Sequence, residues 1–293
     1  MSLATGTTTP SPAGCPPDGW STTSLEALKA RHWKLDDTPR REALSKSLLP
    51  CLASADPALR DGVAFEALSA WMRADLLGQP VLRDIAGMLV AELASTRPDT
   101  AGFRQPFAAL VLSEVARVDR LRAFFSAGER ATLLQAAVTW LPTVRDYRGF
   151  DTRDGWRHGV AHGADLLMQL ALNPAFGLPE HERILDAVAT QVAPPGEHFY
   201  VYGEGERLAR PVLFVARRGT VAAEFWNGWI QRLATPGQFK DWESALQTQA
   251  GLARRNNLNG FLASLYINIA GGSDENAKRA LLPAVTEALR ALN

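Results

Sequence analysis

Four of the five histidines in this sequence lie between positions 158 and 198, and two of them are spaced for joint chemistry. His158 and His162 are four residues apart, so on a helix their imidazoles share one face, and Asp165 lies three residues further along that face. Two imidazoles and a carboxylate suit a divalent transition metal. The same groups equally suit a general base that a neighbouring side chain orients.

An enzyme built on this face would most plausibly be a hydrolase. His162 or His158 would act as the base or as a metal ligand, and Asp165 would orient it. The metal candidates are the same three residues. Further candidate catalytic carboxylates are Asp151, Asp154 and Glu206.

A binding protein would use the same region differently. Acidic residues, arginines and histidines are concentrated at 145–165 and again near 204–210. The segments 145–165 and 198–210 would then form the walls of a polar groove. The candidate ligand-binding residues are Trp156, His198, Tyr200, Glu204 and Arg207.

The polar arc also has a simpler interpretation, which is contact with water. At 100° per residue, apolar side chains such as Val160 and Leu167 cluster on one side of the helix and the histidines on the other. Gly155, Gly159 and Gly163 form a row beside the histidines, and each glycine costs about 1 kcal/mol relative to alanine. This row predicts either close approach of another helix or access for a ligand.

Helices are predicted nearly from end to end. Strand-type alternation is scarce, while apolar positions recur at helical spacing behind capping residues. Ser126 with Glu129 has the form of a capping box, and Asp154 is predicted to open the helix that carries both histidines. The predicted helices cover residues 56–77, a segment from 80 onward, 103–125, 126–147, 154–173, 179–193, 220–233, 238–254, 257–269 and 274–292.

Helix starts recur about every 20–25 residues, so two helices have the length of one HEAT or armadillo repeat, although no sequence motif repeats. The prediction is an all-α fold, with antiparallel helix pairs stacked as a HEAT/armadillo-like α-solenoid or packed as an irregular helical bundle. One domain over residues 21–293 is expected to follow a flexible tail over residues 1–20. For residues 196–219 we predict a loop and a short helix. The alternatives are a hairpin that turns at Gly203 and Gly205, or a helix over 204–216 that Pro211 interrupts.

Composition excludes several classes of protein. Lys and Arg number 31 and Asp and Glu number 31, so the formal net charge is zero, and no nucleic-acid partner is expected. No apolar run approaches the ~18–20 residues of a membrane helix, so no membrane span is expected. The sequence contains no Walker, Rossmann, HExxH, GxSxG or CxxC motif and requires no cofactor, although its histidines would suit a divalent metal.

The two cysteines, Cys15 and Cys51, allow two interpretations. They are either free thiols or a disulfide that attaches the N-terminal segment to the body of the protein. A disulfide would need an oxidising compartment.

Several motifs resemble a bacterial family catalogued as domain of unknown function 2785. They are Arg148-Gly149-Phe150, Gly155-Trp156-xx-Gly159-Val160-Ala161-His162-xx-Asp165-Leu166-Leu167, Glu204-xx-Arg207-Leu208-Ala209 and Asn257-xx-Gly260-Phe261-Leu262-xx-Leu265-Tyr266. The likeness extends from about Leu25 to Leu292 and implies an all-helical, repeat-like fold without an assigned activity.

The resemblance also bears on location. Some related exported proteins have a leader before a start similar to Cys15-Pro16-Pro17, which favours a periplasmic or exported protein with a Cys15–Cys51 bridge over a cytoplasmic one. The leader would then precede this numbering.

Two functions follow from the sequence. The first is a helical-repeat binding protein whose partner is an unidentified protein, peptide or small molecule. The alternative is a hydrolase or metal-dependent enzyme that uses His158, His162 and Asp165.

Overall fold

Helices form nearly all of the regular structure in a computed structural model of the chain, which describes residues 12–292. The all-α prediction is confirmed, apart from one short hairpin of two-residue strands. The α-helices of the described residues are α1 Thr22–Ala30, α2 Thr38–Ser47, α3 Pro57–Leu59, α4 Glu66–Arg73, α5 Gln79–Leu93, α6 Arg104–Leu121, α7 Ala127–Trp140, α8 Gly159–Ala171, α9 Leu178–Val192, α10 Glu204–Arg218, α11 Ala223–Leu233, α12 Trp242–Ala245, α13 Gln249–Ala270 and α14 Glu275–Leu292.

Local signals explain many of the helix starts. Asp56 accepts a hydrogen bond from the Ala58 amide at 2.8 Å and caps α3. The Ser126 and Glu129 capping box at the start of α7 is confirmed, with hydrogen bonds of 2.6 and 3.2 Å.

Turns of non-α geometry extend three of the helices. The helix predicted over 56–77 forms as α3, a π-helical segment Arg60–Phe65 and α4, so it ends at Arg73. A π-helical segment widens the turn and often accompanies a functional site. The 3₁₀ turns are Leu49–Ala53, after α2, and Leu141–Thr143, after α7.

Two predicted boundaries in the C-terminal half are wrong. The helices predicted over 238–254 and 257–269 are instead the short α12 and one continuous α13, which runs through the predicted junction. The helix predicted to be short after residue 196 is α10, with 15 residues and Pro211 in its interior. This agrees with a less favoured prediction, a helix over 204–216 with Pro211 inside it.

The helices pack in two rows. In the first row α4, α6, α8, α10 and α13 lie side by side in that order. In the second row α5, α7 and α9 follow one another and pack against α6, α8 and α10. Helices α11 and α14 pack against each other, and α14 also contacts α10 and α13 at the C-terminal end. One cluster of buried apolar side chains extends from Leu25 to Leu292.

A disulfide joins Cys15 to Cys51, as the second interpretation of the cysteines expected. Both cysteines are buried, and their Cα atoms are 5.1 Å apart. The bridge therefore holds the segment around Cys15 against the 3₁₀ turn that contains Cys51. Most of the tail predicted over 1–20, namely residues 1–11, lies outside the described residues.

Within residues 12–292, none of the helices combines the length and the apolar character needed to cross a membrane.

Candidate functional site

A β-hairpin replaces the start of the helix predicted from Asp154. Strands β1 Phe150–Asp151 and β2 Gly155–Trp156 pair antiparallel, with Phe150 opposite Trp156. The Asp151 carboxylate closes the turn by accepting the amides of Arg153 and Asp154, both at 2.9 Å. These backbone hydrogen bonds lower the pKa of Asp151. Asp151 thus has a structural role in the turn, and Asp154, which the sequence predicted to open the helix, lies in this turn instead.

Asp154 is also fixed in place by neighbouring cations. Its carboxylate oxygens accept hydrogen bonds from Arg153 at 2.6 Å and from Arg157 at 2.9 Å. These two guanidiniums lower the pKa of Asp154 below its ordinary range. A carboxylate held ionised and doubly paired is poorly suited to proton transfer near neutral pH.

His158 is the N-cap of α8 and not an interior residue of a helix. Its φ of 57° places it in the left-handed region, and α8 begins at Gly159. Its Nε2 is 3.0 Å from the carbonyl oxygen of Tyr202, and its ring stacks on Trp156 at 4.8 Å. Burial, with a smaller contribution from Arg207, lowers the pKa of His158 to about 4.

His162 lies one turn inside α8. Its Nδ1 is 3.2 Å from the carbonyl oxygen of Pro106, and its ring packs edge-on against Phe107 at 5.2 Å. The ring centroids of His158 and His162 are 5.9 Å apart. Burial is the main cause that lowers the pKa of His162 to about 3, and the neighbouring His158 contributes less. Both imidazoles are therefore neutral near pH 7, and each donates its proton to a backbone carbonyl.

Asp165 contacts the second charged cluster, at 204–210. Its carboxylate forms an ion pair with Arg207 of α10, and Arg210 Nη1 lies 3.9 Å away. Burial raises the pKa of Asp165, and Arg207 opposes this shift. Glu206 points elsewhere and pairs with Arg210 at 2.7 Å. The segments around 158–165 and 204–210 thus converge through Asp165 and Arg207.

The prediction that the polar arc faces water is wrong. His158, His162 and Asp165 each keep less than a tenth of their surface exposed. Helix α10 packs along this side of α8 and provides Arg207 as a partner, so the amphipathic pattern marks contact with a polar helix face.

The arrangement does not support the predicted metal site. The described residues contain no group of three or more His, Cys, Asp or Glu side chains that could hold a metal ion. The geometry explains this, because His158 and His162 turn ring nitrogens toward backbone carbonyls and Asp165 faces Arg207. The gap that adjoins His158 does not admit even a water molecule, so the described structure leaves no space for a substrate beside it.

The glycine row contributes to close packing. A Cβ atom on Gly163 would lie 2.7 Å from Leu141 Cδ1 and 3.1 Å from the ring of Trp140. One on Gly159 would contact Val144 and Pro106. Gly155 does not belong to this row, because it lies in the hairpin with a φ of 74°.

His198 and Tyr200 lie in the loop before α10, and contacts with other parts of the chain hold them in place. The ring of His198 stacks on Tyr147 at 5.2 Å, and the Tyr200 hydroxyl donates to the Gln191 carbonyl oxygen at 3.0 Å. Asn257 of α13 accepts the Tyr200 amide at 2.7 Å and donates to the His198 carbonyl oxygen at 2.9 Å. Asn257 was not among the site residues predicted from the sequence.

Four exposed apolar side chains form a surface at the junction of the hairpin and this loop. They are Phe150, Trp156, Val201 and Tyr202, and we call them the aromatic patch. The rings of Phe150 and Trp156 are 5.1 Å apart, and those of Trp156 and Tyr202 are 5.8 Å apart. Of these residues, only Trp156 was a candidate from the sequence.

Glu204 is buried behind this loop, and its Oε2 accepts the Tyr202 amide at 2.9 Å. Arg60 and Arg157 support the hairpin from the other side. Both guanidiniums contact the ring of Phe103, with Cζ atoms 3.9 and 4.4 Å from its centroid. Neither arginine was a candidate from the sequence, because the contacts with Phe103 that place them at the hairpin join positions distant along the chain.

Comparison with known proteins gives one match. The family model described as Protein of unknown function (DUF2785) matches residues 89–267, which is more than half of the chain. This range contains the hairpin, α8 and α10, and it is shorter than the likeness predicted from about Leu25 to Leu292. No curated protein and no solved structure matches the chain.

Proposed function

This chain belongs to the DUF2785 family, and we propose that it is a binding protein that recognises a protein or peptide partner through the aromatic patch. The residues of the patch belong to the two segments expected to line a groove, 145–165 and 198–210. The supporting observation is the exposure of three adjacent aromatic rings on two connected segments. Contiguous exposed apolar surface on a soluble domain commonly marks an interaction site.

The patch is held rigid by buried groups beneath it. Trp156 stacks on His158, and His158 in turn bonds the Tyr202 carbonyl oxygen. A side chain at Gly149 would overlap the ring of Tyr202, so the backbone of one segment lies directly against the other. A surface that is ordered before binding loses little conformational entropy when the partner arrives.

The charges around the patch favour a protein partner over a polyanion. Arg148 pairs with Asp146, and Arg153 pairs with Asp154, so these two cations beside the patch already have carboxylate partners. An apolar centre with a neutralised polar rim is the usual composition of a protein interface.

A hydrolase remains the alternative. Its support is the convergence of His158, His162 and Asp165 with Arg207. The gap beside His158, which does not admit a water molecule in the described structure, counts against it. The binding proposal needs no such space, because the patch is on the surface.

Selection from a random peptide library displayed on phage tests the proposal. Enriched peptides should be rich in apolar residues and should bind Trp156→Ser and Val201→Asp roughly tenfold or more weakly than the unmodified protein. Ile267→Asp is the matched control, because Ile267 and Val201 are both 68% exposed and Ile267 lies on α13. Failure to enrich any peptide, or peptides that bind Val201→Asp normally, would contradict the proposal.

Two further parts of the interpretation are proposals of the same kind. We propose that the protein is exported or periplasmic, and the Cys15–Cys51 disulfide supports this. We also propose that the paired helices form a repeat-like array, which the two-row packing of α4 to α10 supports.

A further inference from the structure

We propose that a cavity between the N-terminal end of α10 and helix α13 binds a small neutral polyhydroxylated molecule of the size of a single sugar ring. The cavity has a volume of about 360 Å³, within the usual range for small-ligand sites. It has no residue in common with the aromatic patch. Its side-chain walls are formed mainly by Tyr200, Glu204, Glu206, Asn256, Asn257 and Asn259.

The cavity offers both hydrogen-bond donors and acceptors. Asn259 presents two N–H donors and a carbonyl acceptor, Asn256 keeps its carbonyl acceptor free, and each carboxylate contributes only acceptors. The Asn257 amide is already bonded to the loop at both ends. No Lys, Arg or His side chain lines the cavity. An anion would use only the donors and a cation only the acceptors, whereas a sugar hydroxyl donates and accepts at once.

The two carboxylates already have partners. Glu206 pairs with Arg210 at 2.7 Å, and Glu204 accepts the Tyr202 amide at 2.9 Å. Glu204 also lies in the first turn of α10, where the helix dipole stabilises a negative charge. A cationic ligand is therefore not required to balance them.

Several polar groups at the cavity have no partner within residues 12–292. The Asn259 side chain is half-buried and makes no hydrogen bond there. The N-cap of α10 is Gly203, which has no side chain, so no side chain caps the first-turn amides of this helix. These groups are the hydrogen-bonding sites that a polyhydroxylated ligand would fill.

The frame around the cavity is rigid. A Cβ atom on Gly205 would lie 3.0 Å from the Phe261 amide nitrogen, so α10 and α13 are in backbone contact here. Asn257 fixes the loop above, through hydrogen bonds to the Tyr200 amide and the His198 carbonyl oxygen. The cavity thus has a defined shape before any ligand enters.

Gly260 provides a direct way to fill the cavity. It lines the cavity on α13, and a Cβ atom built on it meets nothing within 4 Å. Gly260→Leu should therefore fold and place its side chain in the ligand space. Gly87→Leu is the matched control, because Gly87 is also a helical glycine with no neighbour within 4 Å and lies on α5, away from the cavity.

The experiment uses saturation-transfer NMR and calorimetry with glucose, galactose, mannose and sorbitol as neutral probes. Glucosamine and gluconate serve as the cationic and anionic comparisons. We expect at least one neutral probe to bind saturably with a millimolar dissociation constant. Binding should weaken roughly tenfold or more in Gly260→Leu and Asn259→Ala and should be unchanged in Gly87→Leu. If glucose, galactose or mannose binds, its methyl glycoside distinguishes a free sugar from the terminal residue of a glycan, since only a site for the latter tolerates substitution at the anomeric oxygen.

Three results would overturn the proposal. These are the absence of saturable binding by every neutral probe, binding of only glucosamine or only gluconate, and neutral binding that persists in both Gly260→Leu and Asn259→Ala. Circular dichroism of each variant establishes that it is folded, and the two variants change different walls of the cavity. A negative result with the sugar probes would not affect the peptide-binding proposal. That proposal is tested with Val201→Asp, which does not alter the cavity.

Discussion

Arg60 donates a hydrogen bond from Nη2 to the carbonyl oxygen of Asp154 at 2.7 Å, across 94 residues of sequence. The same guanidinium donates to the Ser54 carbonyl oxygen at 2.9 Å and contacts the ring of Phe103. It therefore connects the π-helical segment to the hairpin that presents Trp156. Arg60 lies outside the range of the family match, yet it supports the central motif.

Replacing Arg60 with Met should loosen the hairpin. The change removes a fully buried cation that bonds three carbonyl oxygens and pairs with Asp61. We therefore expect a loss of about 3 kcal/mol in the free energy of unfolding. Urea denaturation measures this loss, and faster tryptic cleavage after the exposed Arg153 should accompany it. Arg97→Met is the control, because this largely exposed ion pair with Glu92 should contribute at most about 0.5 kcal/mol. Equal effects of the two substitutions would show that Arg60 does not hold the hairpin.

Mild acid should destabilise the protein through its buried histidines. The pKa values of His158 and His162 are about 4 and about 3 in the folded chain and about 6.5 when unfolded. Below pH 6.5 the unfolded chain therefore binds protons that the folded chain does not, and stability falls as pH falls. Between about pH 7.5 and about pH 5.5 the two histidines together should cost roughly 3 kcal/mol, measured by urea denaturation.

Two other groups have pKa shifts of known sign. Burial lowers the pKa of His181, which adds to the loss, and raises the pKa of Asp165, which opposes it. The double variant His158→Gln/His162→Gln isolates the two site histidines and should flatten the pH dependence. His32→Asn, at an exposed left-handed position, should leave it unchanged. A slope that survives in the double variant would assign the acid sensitivity to other groups.

The Cys15–Cys51 bridge predicts a mass two hydrogens below that of the reduced chain, measured without reductant. Closing a loop with a sequence separation of 36 restricts the unfolded chain, so reduction should cost about 3–4 kcal/mol. The double variant Cys15→Ser/Cys51→Ser should show a similar loss and no further response to reductant. An unshifted mass in protein isolated from its native compartment would remove the main support for export.

Local signals gave most of the helices, because caps and apolar spacing act within a few residues. Ser126 and Glu129 illustrate this, since their reciprocal hydrogen bonds span three residues. The start of α8 was wrong for a related reason. Asp154 is of a residue type that often caps a helix, but it lies in the turn of the hairpin, and α8 begins only after His158.

The density of polar residues located the candidate site in the sequence. The surroundings of the site could not be predicted in the same way. The helical pattern of α8 separates apolar from polar sides, and it does not indicate that α10 covers the polar side with Arg207. Arg60 and Asn257 bind carbonyl oxygens 94 and 59 residues away, respectively. Contacts between such distant positions leave no periodic pattern, so a single sequence does not reveal them.

The glycine row left open whether Gly163 serves helix packing or ligand access, and Gly163→Val tests the choice. The added side chain would press on Leu141 and Trp140, both buried, so overpacking should cost about 2 kcal/mol despite the better helix propensity. Gly87→Ala is the control and should stabilise by roughly 0.5–1 kcal/mol, because a Cβ there meets nothing within 4 Å. Thermal and urea unfolding measure both. If Gly163→Val unfolds like the unmodified protein, Leu141 and Trp140 can yield and close packing does not explain the glycine.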